Sequence, residues 1–326
     1  MDLVRFFLKV ARKAYRKIFL AKNGKIYTTP LFEERVEFFD QAANDLLTTM
    51  LSQGAPLMVS KFGTIELFAI ANFRSMNQSK YDFRDYYEYV LGKRCALWWN
   101  DGVQALGTNA GFFPIDNTLL PYFHDVYVDA MQKIDVLGSY LIAEKFFDKE
   151  LAAAKRINID GYYAPFFYDN PWTKILAGKK VLVIHPFEDS IRSQYRKRRL
   201  IWENPDLLPE FELLTIKAVQ TIAGEESSFI NWFEALESMK NKVSQTEFDI
   251  ALIGCGAYGM PLAAHVKKMG KQAVHLAGWL QVLFGIKGKR WTDDPRVAKL
   301  MNDSWEFPLP SEVPKKFRKV EDGCYW

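Results

Sequence analysis

The chain has 326 residues, enough for one large α/β domain or two smaller ones with a substantial core. Its 49% apolar and 25% charged residues are an ordinary globular balance, with no internal repeat and no low-complexity tract. The net charge of +4 is concentrated at one end: residues 1–25 carry +7 and the remaining 301 residues −3, which excludes a body-wide nucleic-acid surface.

Cys95, Cys255 and Cys324 form no CxxC pair, and the four histidines (His124, His185, His265, His275) form no HExxH motif. A disulfide framework and a zinc site are therefore not expected, and a reducing, cytoplasmic setting is.

Residues 1–25 predict a basic amphipathic helix. Leu3, Phe7, Val10, Ala14 and Ile18 share one face, and Arg5, Lys9, Arg12 and Arg16 the opposite one. Two readings stay open. The helix lies in an anionic membrane interface on the inner face of the cell membrane, or it packs on the body with its basic face in water. Its apolar stretches are too short to span a bilayer, and no small-residue cleavage site follows a long apolar core.

Residues 26–326 predict one α/β domain with an irregular first half (26–172), a βα-repeat second half (173–307) and a tail (308–326) that wraps the surface. In the first half, 55–63 reads as a buried strand, 64–73 as a helix, 107–116 as a loop and 117–134 as a helix. In the second half, strands are expected over 179–187, 211–219, 248–256 and 271–278. Helices are expected over 188–202, 227–243 with a serine at its start, and 258–270. This alternation predicts a Rossmann-like, mostly parallel sheet covered by helices on both faces.

The strand at 248–256 ends in Gly254-x-Gly256-x-x-Gly259, with Tyr258 inside the turn. Such a turn lets the main chain approach a diphosphate at a helix N-terminus. The alternative is that the glycines only permit tight helix–strand packing. No acid ends the following strand, Ala273–Leu276, and the motif falls in the last quarter of the chain, so NAD is not expected. Lys287, Lys289 and Arg290, spaced by Gly285 and Gly288, suit neutralisation of a leaving diphosphate, or else form a solvated loop. His185, at a strand end, suits phosphate contact or proton transfer, or else is a hydrogen-bonded core-edge residue.

The segment "KFGTIE" (61–66) resembles the Arg-Phe-Gly-Asp-Gly-Glu segment of the GT-D type glycosyltransferases, a Rossmann-like family acting on bacterial surface and adhesin glycans. Lys61 stands for the arginine; Phe62, Gly63 and Glu66 match; Thr64 and Ile65 replace the aspartate and second glycine. The pieces "NAGFFP", "IDVLGSY", "KVLVIHPF", "LIGCGAYGMPLAAH" and "FGIKGKRW" resemble bacterial proteins with a GT-D-like domain found among polysaccharide genes. The resemblance covers roughly residues 55–326. It implies a nucleotide-sugar enzyme in which an acid-x-Glu pair meets the donor or its Mn or Mg ion. Here Glu66 is the one metal candidate, and a single carboxylate is a poor divalent site. Asp148-x-Glu150 lacks the Phe-Gly context and is read as surface.

The expected function is transfer of a sugar from a nucleotide diphosphate donor, a uridine diphosphate sugar first, to a glycan or polyprenyl-linked acceptor. Glu66 and His185 are the expected catalytic groups. Lys61, Phe62, Gly63, Thr64, Asn109, the Gly254–Gly259 turn, Lys287, Lys289 and Arg290 are the expected donor contacts. The rival readings are a non-catalytic membrane-associated scaffold and, behind it, an NAD(P)-dependent oxidoreductase.

Overall fold

A computed structural model describes residues 2–20, 35–77, 80–98 and 102–326. Its centre is a seven-stranded sheet: β1 Leu57–Lys61, β2 Val136–Ser139, β3 Lys155–Asn158, β4 Lys180–His185, β5 Glu212–Lys217, β6 Ile250–Ile253 and β7 Gln272–His275. The order is β3-β2-β1-β7-β6-β4-β5, and every pairing is parallel. Val59 of β1 sits opposite Val136 of β2 and Val274 of β7, so strands from both halves of the chain interleave in one sheet.

The main helices are α1 Asp2–Tyr15, α2 Asp40–Ser52, α3 Thr64–Met76, α4 Phe83–Val90, α5 Gly102–Ala110, α6 Leu120–Met131, α7 Glu188–Arg196, α8 Trp232–Ser244 and α9 Gly259–Lys268. Successive strand side chains point to opposite faces, and both faces are covered. On one face Met58, Leu137, Leu182 and Ala251 join Leu67, Phe123, Leu236 and Leu262 from α3, α6, α8 and α9. On the other, Val59, Val136, Val183 and Leu252 join Leu47 of α2, Ile191 of α7, Leu280 and Trp305. This is the Rossmann-like α/β architecture that the alternation of strands and helices implies.

The structure departs from the sequence reading at identifiable places. The first half supplies two further strands, β2 and β3, each only four residues long. Residues 107–110 of the expected loop complete helix α5. Helix α8 starts five residues after the expected serine cap, at Trp232, because the Asn231 side chain accepts the Glu234 N–H. The helix expected over 188–202 breaks at Lys197 into two pieces. Asp148 is exposed, in keeping with the surface reading, and pairs with Arg35 and Arg156, whereas Glu150 is half-buried against Arg74.

The leader packs on the body, and its basic face is divided between the body and water. Helix α1 packs on α4 with two arginines toward the body: Arg5 lies 5.5 Å from the Trp98 ring centre and Arg12 4.6 Å from that of Tyr89, while Lys9, 5.9 Å from Trp98, stays exposed, as do Lys13 and Lys17. Lys22 and Lys25 lie outside the described residues. Among the described residues no helix is long and apolar enough to cross a membrane.

Candidate functional site

In open parallel sheets, ligands bind beyond the carboxyl ends of the strands, where chain connections diverge. Here that edge forms a crevice of about 260 Å³. It is lined by residues following β1 (Lys61, Gly63, Thr64, Ile65, Glu66), β4 (His185, Pro186, Phe187), β6 (Gly254, Cys255, Gly256, Tyr258) and β7 (His275, Ala277, Gly278). Asn109, Tyr140, Thr221 and Arg290 complete it, together with Glu321, Tyr325 and Trp326 of the tail.

Glu66 is in the first turn of α3 and 8% exposed. Its carboxyl folds back over Gly63, so closely that a Cβ there would lie 1.9 Å from Glu66 Oε2. Glycine at 63 is thus the condition for glutamate at 66 to sit where it does. Burial raises the Glu66 pKa, against lowering by a main-chain hydrogen bond and by the charge of Lys61; Glu321 adds to the rise. Lys61 lies at the end of β1 with its Nζ 5.7 Å from the Tyr140 ring centre, and Tyr140 Oη donates to the Phe62 carbonyl at 2.8 Å. Phe62 itself is fully buried and belongs to the core, not to the crevice wall.

His185 is buried, and burial pushes its imidazole down to about 3. Its Nδ1 accepts the Phe187 N–H at 3.0 Å, which leaves the proton of the neutral ring on Nε2. In that tautomer His185 is a hydrogen-bond donor and not a general base. His275 is also buried and pushed down to about 3, by desolvation first and then by the charge of Lys61. Its Nδ1 lies 3.1 Å from Ser60 Oγ.

Each glycine of the turn has a packing reason. A Cβ on Gly254 would lie 2.5 Å from the Ala277 carbonyl oxygen; on Gly256, where φ is +56°, 2.9 Å from that of Ala110; on Gly259, 2.2 Å from His275 Nε2. Only the first two line the crevice. Gly259 serves helix–strand contact, and Tyr258 stacks on Trp232 at 5.2 Å while its residue borders the crevice.

The three cations of the 287–290 segment separate. Arg290 faces the crevice, pairs with Glu321 and donates to Tyr325 Oη at 3.1 Å. Lys289 turns outward to Asp293 at 2.9 Å, and Lys287 Nζ lies 6.0 Å from the Phe307 ring centre. Neither lysine borders the crevice. Conversely, sequence reasoning missed Tyr140, His275, Glu321 and Tyr325. His275 ends its strand as His185 does, so the same signal was present; nothing in the sequence marked a tail residue as part of the site.

The donor set does not fit a divalent cation. The position after Gly63 is a threonine, Glu66 lies beside Lys61, and no cluster of three or more His, Cys, Asp or Glu side chains among the described residues could hold an ion. What the crevice offers is one buried carboxyl, two cations, neutral imidazoles and the main chain at the N-terminus of α9.

No family model matches the sequence, and no curated protein matches it. Among solved structures, the chain is similar to the selenomethionine-substituted structure of domain of unknown function 1792. The TM-score is 0.37 at 11% identity, covering 85% of this chain and 93% of that one. A likeness this distant carries no argument about the site.

Proposed function

We propose that the chain is a glycosyltransferase that moves a sugar from a nucleoside diphosphate donor, a uridine diphosphate sugar first, to the hydroxyl of a glycan or polyprenyl-linked acceptor. The observation that carries this reading is the shared crevice: Glu66, Lys61, Arg290 and the Gly254–Gly256 turn meet at the carboxyl edge of a parallel sheet.

Displacement at the anomeric carbon needs a stabilised leaving diphosphate and a base for the acceptor proton. Lys61, Arg290 and the main chain leading into α9 suit the diphosphate. Glu66 suits the base, as a buried carboxyl at the crevice wall whose pKa burial raises. His185 and Asn109 suit hydrogen bonding to the sugar or the phosphates. The Glu321 carboxylate occupies Arg290, so the donor replaces an acid already seated there.

The test is Glu66→Gln. Glutamine keeps the shape and removes the base, so transfer falls by about a hundredfold or more while donor binding persists. Transfer at the wild-type rate in a folded variant would remove Glu66 from the chemistry. Thr64 in place of an acid favours a second reading, a membrane-associated scaffold that binds nucleotide without turnover. It predicts donor binding with no transfer to any acceptor.

A further inference from the structure

Helix α1 presents the wrong side to water. A helix docked on a soluble body normally turns its apolar arc inward. Here Arg5 and Arg12 are held over Trp98 and Tyr89, and the opposite arc is solvent-facing. Leu3 is 73% exposed, Phe6 60%, Phe7 61% and Val10 48%. Four large apolar side chains on one face, two of them aromatic, form a contiguous patch of the kind that marks an interaction surface.

We infer that this outward face of α1 is a docking surface for an anionic lipid bilayer, with the protein body behind it and the helix axis in the plane of the interface. This inference does not depend on the transfer chemistry proposed above. Charge chooses the bilayer over a second copy of the chain. The segment 3–20 contains six basic residues and no acid, and Lys13 and Lys17 are exposed beside the apolar arc. Two such faces brought together would juxtapose like charges, whereas anionic headgroups attract each lysine while its stem and the arc sink into the acyl boundary. The helix has 14 residues, about 21 Å at 1.5 Å per residue, too short to span and suited to lying flat. The body contacts have a purpose in this arrangement: aromatic rings hold the arginines by cation–π contact, which keeps the arc pointed away from the body.

The experiment is co-sedimentation of the full chain with vesicles of phosphatidylcholine alone and of equimolar phosphatidylcholine and phosphatidylglycerol. Wild type should pellet with the anionic vesicles and weakly with the neutral ones. The double variant F6S/F7S alters only exposed side chains, so its thermal unfolding matches wild type while its partitioning falls at least about tenfold. K13E/K17E should lose the preference for anionic vesicles by about tenfold or more. Wild type left in the supernatant with both vesicle types overturns the proposal, as does F6S/F7S pelleting like wild type. A wild-type dimer by light scattering that F6S/F7S splits would assign the face to a second copy and overturn it equally.

Discussion

The Gly63–Glu66 pair decides most at the scale of single residues. Because the carboxyl lies where a Cβ at 63 would be, Gly63→Ala must push Glu66 out of its seat. Transfer activity is expected to fall with Gly63→Ala nearly as far as with Glu66→Gln, although the added methyl touches no substrate; an alanine variant with wild-type turnover would show that the seat is irrelevant. Glu66→Gln has a second consequence. A raised folded pKa means that the stability linked to this group is present at low pH and lost as pH rises through the folded value. Above the ordinary carboxyl pKa this burial is a cost, so the glutamine variant should melt higher as it loses activity. A lower melting temperature would contradict the direction of that shift.

His185 and His275 act in the opposite sense. Their folded pKa values are depressed to about 3, so the unfolded chain binds more protons across the window from the unfolded value down to there. Their contribution is complete above pH ~6.5 and falls as acid is added, by up to about 1.4 kcal/mol per pH unit for each ring. Urea unfolding at about pH 7 and about pH 5 measures it. His185→Gln keeps an acceptor for the Phe187 N–H and should flatten the dependence by roughly half; an unchanged slope would mean that His185 is not held neutral.

Among the elements, the contact of α9 with β7 is the tightest constraint. A methyl on Gly259 would meet the His275 ring at 2.2 Å, with little room for either element to give. Gly259→Ala is expected to destabilise by about 1–3 kcal/mol in urea unfolding, the usual effect of overpacking; a neutral effect would mean that the ring can swing aside. The second-half strands were legible because β4 and β6 are unbroken apolar runs such as VLVI and IALI. Strands β2 and β3 were not, for a physical reason. "VLGS" contains a glycine placed there by the Tyr162 ring, 2.7 Å from a would-be Cβ, and "KRIN" is half charged. Both are strands because neighbours pair with them, and four residues carry too little periodicity to announce it. Helix α5 was hidden in the same way, by the glycines and asparagine of "GVQALGTNA".

At the scale of the whole molecule, the sheet order brings the end of β1 beside the ends of β7 and β6, and so joins Glu66 to the glycine turn and to Arg290. The turn and Arg290 were visible as motifs. Their meeting with Glu66 was expected only from the general rule about strand ends; Lys289 fell outside because the short helix Lys289–Asp293 turns Arg290 inward and Lys289 outward, and Lys287, ahead of that helix, lies beside Phe307. The tail enters the site instead of merely wrapping the surface: Trp326 packs near Phe187, and Glu321 sits on Arg290. Glu321→Gln should therefore strengthen diphosphate binding severalfold by freeing that guanidinium.

The most direct test of the account is calorimetric titration of the full chain with uridine, guanosine and thymidine diphosphates, beside Arg290→Ala. At least one of these diphosphates is expected to bind wild type, uridine diphosphate first, and Arg290→Ala to weaken it about tenfold or more in a variant that melts normally. No binding by any of the three, or binding that Arg290→Ala leaves unchanged, would contradict it.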